Sequence, residues 1–70
     1  MTFGERLTYI RQRRGLTQTE VARRTGVSRV TICGYEKDRR EPTLFNAVAL
    51  AEVLNVSLKY LATGENHEKR

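Results

Sequence analysis

A chain of 70 residues encloses a single core and leaves no room for a separate catalytic domain. Its 13 Lys and Arg against 8 Asp and Glu give a net charge of +5, and ten of the 13 are Arg, whose rigid fork suits phosphates and guanine edges. That balance favours a polyanionic partner, although membranes and acidic proteins also attract basic surfaces; the lone cysteine, Cys33, excludes the internal disulfides on which a secreted domain of this size relies.

The spacing predicts five helices. Thr2 with Glu5 has capping-box spacing, in which the hydroxyl and the later carboxylate each satisfy an orphan amide; it opens a first helix over about Phe3 to Arg14, closed by Gly15. Thr17 with Glu20 repeats that spacing ahead of a second helix, about Gln18 to Thr25, closed by Gly26. Ser28 caps a third helix running to about Glu36. Thr43, just after the helix-stopping Pro42, caps a fourth to about Leu54, which ends at Asn55, a residue that tolerates the left-handed conformation. Ser57 starts a short fifth helix to about Ala62, before Gly64. Residues 1–64 therefore form one domain, and 65–70 a polar tail expected to fray.

No run alternates with strand period, so the fold is all-α. The expected core is Phe3, Leu7 and Ile10; Val21 and Ala22; Ile32 and Tyr35; Leu44, Ala47, Val48, Ala51 and Leu54; then Leu58 and Leu61. Phe45, Ala49 and Val53 form a second apolar strip on the fourth helix, half a turn from the core side, to be covered by neighbouring helices or by a partner. Met1 to Arg14 alternates apolar and charged residues and so lacks a signal-peptide core. The most apolar stretch, Ala47 to Val56, is broken by Glu52 and Asn55 and is too short to span a bilayer, so a cytoplasmic location and no membrane contact are expected. The sole histidine, His67, lies in the tail, and no nucleophile and base, metal-ligand cluster or glycine-rich phosphate loop can be assembled; neither an enzyme nor a cofactor is expected.

The most informative stretch is QTEVARRTGVSRVTICGYEK, Gln18 to Lys37, which fits a short helix, a glycine turn and a second helix into one corner. Ala22 is small where the two helices approach, Gly26 ends the first, and Val27, Ile32 and Tyr35 turn inward onto Val21. At about 100° per residue, with Ile32 inward, Val30, Cys33 and Lys37 point outward and Arg29 and Gly34 lie on the two flanks. That narrow, partly basic strip suits a DNA major groove. Arg11, four residues after Leu7, and Glu36, four after Ile32, both face the core side and should meet as an ion pair.

From Phe3 to Gly64 the chain resembles the phage repressor and Cro-like helix-turn-helix family, also called the xenobiotic-response-element type. RRGLTQTEVARRTGVS, the EPTL that opens the fourth helix and the closing LAEVLNVSLKYLATG are all typical of it. The resemblance implies a compact five-helix, lambda-repressor-like domain whose third helix reads base edges, which gives that role to Ser28, Arg29, Val30, Cys33 and Gly34. Arg29 suits a bidentate contact to guanine and Val30 a thymine methyl group. It also implies a phosphate held at Gln18 and Thr19, with Thr17, Thr31, Lys37, Arg39, Arg40, Thr43 and the opening amide of the fourth helix as further phosphate contacts. In the family the arginine at position 11 touches phosphate as well as its carboxylate.

The function implied is that of a transcriptional regulator, a repressor, binding double-stranded DNA as a homodimer on a near-palindromic operator. The dimer contacts would come from the loop before the fourth helix and from the fifth helix, through Leu58 with Tyr60 or Phe45. The rival is an antitoxin or adaptor, a protein-interaction module with secondary DNA binding, for which the Phe45 strip is the motive. Three positions depart from the family's pattern. Asp38 stands where glycine is frequent, at a left-handed turn that aspartate tolerates. Gly34 offers no side chain to a base and costs about 1 kcal/mol within a helix relative to alanine. Cys33 reads as a small, inert thiol rather than a redox switch.

Overall fold

Each helix begins at a hydroxyl that takes up one amide of its first turn. The computed structural model describes residues 1–65 and contains α1 (Phe3–Arg13), α2 (Gln18–Thr25), α3 (Arg29–Glu36), α4 (Leu44–Leu54) and α5 (Leu58–Thr63). Thr2, Thr17, Ser28, Thr43 and Ser57 are the N-caps, each accepting from the amide three residues on. The first two boxes close reciprocally: Glu5 accepts from the Thr2 amide at 3.0 Å and Glu20 from the Thr17 amide at 2.8 Å. Gly26, Asn55 and Gly64 end α2, α4 and α5 in the left-handed region. α1 stops one residue short of the expected Arg14, whose amide bonds the carbonyls of Ile10 and Arg11 in a tightened last turn, and α5 runs one residue further, to Thr63. Residues 66–70, and with them most of the expected tail and His67, lie outside the described residues.

The core joins Leu7, Ile10, Val21, Val27, Ile32, Tyr35, Leu50, Ala51, Leu54 and Leu61, with Phe3, Leu16, Ala22, Val56, Leu58 and Tyr60 packed around it. It departs from the expected core on α4. Leu50 is fully buried, while Leu44 is 68% and Val48 36% exposed, so the helix is turned by about 60° from the expected stripe. The cause is that only Asn46 and Glu52 are polar in this helix, so the apolar pattern leaves its direction loosely specified. Two polar groups settle it: the Asn46 amide donates to the Tyr35 hydroxyl at 2.9 Å, and Glu52 stays in water. Of the second strip, Ala49 and Val53 are half-buried, whereas Phe45 is 84% exposed.

Two of the polar clasps that hold α1 to the rest lie at its first turns. Arg6 is 7% exposed; its Nε and Nη2 donate to the carbonyls of Leu61 and Ala62 at 2.8 Å each, at the end of α5 where the helix dipole favours a cation. Beside it, on the side of α3, Asp38, left-handed at φ 59°, accepts from the Gly4 amide at 2.9 Å and from the Thr2 hydroxyl at 2.6 Å. The Thr2 hydroxyl first, and then the Gly4 amide, hold its carboxyl below the usual range. Gly4 itself is required there, since a Cβ would run into the carbonyl oxygens of Tyr35 and Glu36.

Candidate nucleic-acid interface

The corner of α2 and α3 exposes one face of α3. Ser28 accepts from the Thr31 amide at 3.1 Å and donates to the Thr31 hydroxyl at 2.8 Å, fixing the first turn and tying up both hydroxyls. Val30 is 69% exposed, an apolar residue presented to solvent. Val30, Cys33 and Gly34 line a recess of about 340 Å³ together with Arg29, Lys37, Arg39 and Arg40. Four cations and no carboxylate line that space, so positive charge predominates at its walls. The side chains of Lys37, Arg39 and Arg40 have no hydrogen-bond or ionic partner among the described residues. Gly34 lies one turn after Val30 and lines the same recess, rather than standing off on a flank.

Behind this face runs a chain of charge-assisted hydrogen bonds. Arg11 donates from Nε to Glu36 Oε2 at 2.6 Å and from Nη2 to Oε1 at 3.1 Å, and its Nη1 donates to the Leu16 carbonyl at 2.8 Å. Glu36 also accepts from Gln18 Nε2 at 2.9 Å. Burial acts to raise the Glu36 pKa, but the hydrogen bonds from Arg11 and Gln18 outweigh it and hold the carboxyl below its usual value. Because the Gln18 amide nitrogen is committed to Glu36, its oxygen turns towards Arg29, whose Nη1 lies 3.4 Å away. The order Arg11, Glu36, Gln18, Arg29 thus runs from the core to the surface.

The phosphate candidates are spread along the rim. Thr17 and Gln18 are engaged in the cap and in the relay to Glu36, Thr19 is exposed, and the first amides of α2 have no intrahelical partner. Thr43 caps α4 and lines a second, apolar recess of about 660 Å³ that it shares with Arg40, Leu44, Ala47 and Leu58. Leu58 is therefore brought together with Leu44, a residue that the sequence pattern assigned to the core. Tyr60 is not brought there: it lines a separate recess beside Tyr9 and Arg13. Phe45 stands free next to Leu44. Arg6, Leu44 and Asp38 are the contributors that pattern reasoning missed or misplaced; the available signals were the position of Arg6 between Phe3 and Ile10 on the apolar stripe, and the place of Leu44 two residues beyond Pro42. Among the described residues no group of His, Cys, Asp and Glu could hold a metal ion, and no helix is long and apolar enough to cross a membrane.

This arrangement has close counterparts. The P22 c2 repressor, solved in complex with a synthetic operator, matches with a TM-score of 0.88 and 32% identity over 93% of this chain and 98% of that one. The restriction-modification controller protein C.AhdI from Aeromonas hydrophila matches with a TM-score of 0.82 and 34% identity over 84% of this chain and 89% of that one. In sequence, the uncharacterized HTH-type transcriptional regulator YqaE of Bacillus subtilis is 37% identical over 67 residues, which is 96% of this chain. The chain spans 58% of YqaE and 55% of ImmR, a second HTH-type transcriptional regulator of that organism. The helix-turn-helix family profile matches residues 7–61, and with α2 and α3 folded as its namesake corner the chain belongs to the helix-turn-helix family.

Proposed function

We propose that the chain is a sequence-specific DNA-binding repressor of transcription that acts in the cytoplasm by inserting α3 into the major groove. The observation that carries this reading is the recess on the open face of α3, lined by four cations and no carboxylate beside the exposed Val30. Arg29, held from behind by Gln18, makes the bidentate contact to guanine, and Val30 meets a thymine methyl group, with Ser28 and Cys33 beside them. The start of α2, with Thr17, Gln18 and Thr19, and the segment with Thr31, Lys37, Arg39 and Thr43 hold phosphates and fix the register. Arg11 serves first as the partner of Glu36 and reaches phosphate only secondarily, since each of its nitrogens is already engaged within the chain.

One α3 reads only a few base pairs, so two copies pair on a near-palindrome with half-site centres about 34 Å apart. The Leu58 and Leu44 recess with Phe45 forms their contact, and Tyr60 at most flanks it. The similarity to a repressor solved on its operator supports the reading. The exposure of Phe45 and Leu44 also favours a second reading, an antitoxin-like module whose main partner is another protein. Selection of binding sites from random duplexes separates the two. A defined motif, bound less tightly as salt rises, is expected for the repressor; equal binding to all sequences leaves the interaction module.

A further inference from the structure

Gly34 is a gap on the outward strip of α3. It follows Val30 by one turn, offers no side chain, and weakens the helix interior it occupies. The gap is filled from elsewhere in the chain. A Cβ at Gly34 would lie 3.1 Å from Cδ, 3.4 Å from Cγ and 3.6 Å from Nε of Arg40, so the stem of that arginine rests on the bare backbone of α3. The chain doubles back to allow this: the Arg39 amide donates to the Gly34 carbonyl at 2.9 Å and the Asp38 amide to the Tyr35 carbonyl at 3.1 Å. Asp38 is in turn tied to Thr2 and Gly4, so the turn that launches Arg40 is anchored. Arg40 as a whole is exposed, its guanidinium has no partner among the described residues, and the residue lines one recess with Arg29 and Val30.

We infer that Arg40 is a base-reading residue seated on α3 by the notch at Gly34, an inference that rests on the DNA-binding function proposed above. A phosphate contact needs only a cation on the rim, as Arg39 supplies. A stem laid across the outward face of a helix that enters the groove carries its fork towards base edges, where guanine offers two acceptors. Packing on the backbone also removes rotamer freedom before DNA arrives, so less is lost on binding. Arg40 thus takes the place of the side chain that α3 lacks at position 34, and the third helix reads with a residue outside it.

The test uses the whole chain. Sites are selected from random duplexes with the unaltered protein, and the chosen site and its single-base-pair variants are then titrated with Arg40→Ala, Arg40→Lys, Arg39→Ala, Arg29→Ala and Gly34→Ala, each checked by circular dichroism melting. Arg40→Ala and Arg40→Lys should bind the chosen site roughly 5- to 150-fold more weakly and equalise the four bases at one pair of each half-site, a pair other than the one lost in Arg29→Ala. Gly34→Ala should melt no lower than the unaltered protein, because alanine favours the helix, yet have a weakened preference at the Arg40 pair, because the new methyl group 3.1 Å from Cδ makes the stem shift by a few tenths of an ångström. Arg39→Ala should weaken all sequences by one factor. Uniform weakening by Arg40→Ala, or undiminished preference at that pair in Gly34→Ala, overturns the inference while leaving DNA binding intact. Failure of the unaltered protein to select any motif overturns both.

Discussion

Replacing Arg11 with methionine removes three donors and strands a carboxylate. Glu36 has a side chain only 7% exposed, and without Arg11 it loses its charged partner and keeps only neutral donors, chiefly Gln18. Breaking a buried pair from one side costs about 3 to 5 kcal/mol; because the Arg11 side chain is 12% exposed and water can reach the site, about 3 kcal/mol is expected here. Glu36→Leu should also destabilise, by leaving the guanidinium with only the Leu16 carbonyl, and the double variant should recover part of the loss, with a coupling of about 1 to 3 kcal/mol. The loss in Arg11→Met also depends on pH. In the unaltered protein the Glu36 pKa is depressed in the fold, so its contribution to stability is present above the unfolded pKa and disappears as pH falls through the folded value. Without Arg11 the largest lowering influence is gone while burial still acts to raise the pKa, so protonation costs the fold less than it costs the unaltered protein. The gap between the two proteins should therefore narrow from pH 7 to pH 4. Urea midpoints followed by circular dichroism at both pH values measure it. Additive losses in the cycle, or a gap that stays constant with pH, would refute the account of a buried, charge-coupled pair.

Arg29→Ala should cost about 1 to 3 kcal/mol on the chosen site and relax one base pair, against a uniform loss for Arg39→Ala; an unchanged selected motif in the Arg29 variant removes that residue from base reading. Salt titration should give a linear fall of log affinity with log salt, shallower by about 0.9 for each phosphate contact deleted, and a slope unaffected by Arg39→Ala takes that residue off the backbone. Arg6→Met should lower stability by about 2 kcal/mol or more, because two carbonyls at the end of α5 lose a charged donor; thermal melts matching the unaltered protein would show that water substitutes freely. Sedimentation with a full operator should show two protomers for the unaltered protein, and one for Leu44→Asp or Leu58→Asp; two protomers with either variant move the interface elsewhere.

Helix positions were legible because they are written locally. A hydroxyl, a carboxylate three residues later and a glycine or asparagine at the far end decide where a helix starts and stops, whatever it packs against. The outward character of Val30 was legible for the same reason, since α3 carries enough buried residues on its other face to fix its direction. The direction of α4 was not: with Leu44, Val48 and Leu50 of like hydrophobicity, the choice fell to the hydrogen bond between Asn46 and Tyr35, which joins residues eleven apart in sequence across two helices. Arg6 escaped notice because a charged residue beside an apolar stripe ordinarily snorkels to water, and only the nearby end of α5 offers it carbonyls instead. The seat of Arg40 on Gly34 likewise depends on a loop that returns to its own helix, and no periodicity announces that.

The exit of α3 is held from two sides. Gln18 and Glu36 brace it from the side of α2, while Asp38 and the close approach of Gly4 pin its exit to the first turn of α1. A reading helix braced at its exit presents one shape more readily than several, so accommodation falls largely to the DNA. On the proposed function, base pairs between the two half-sites then enter affinity through the ease with which they bend or twist. Two operators with identical contacted bases should then be bound unequally, and loosening the clasp between Thr2, Gly4 and Asp38 should reduce that discrimination.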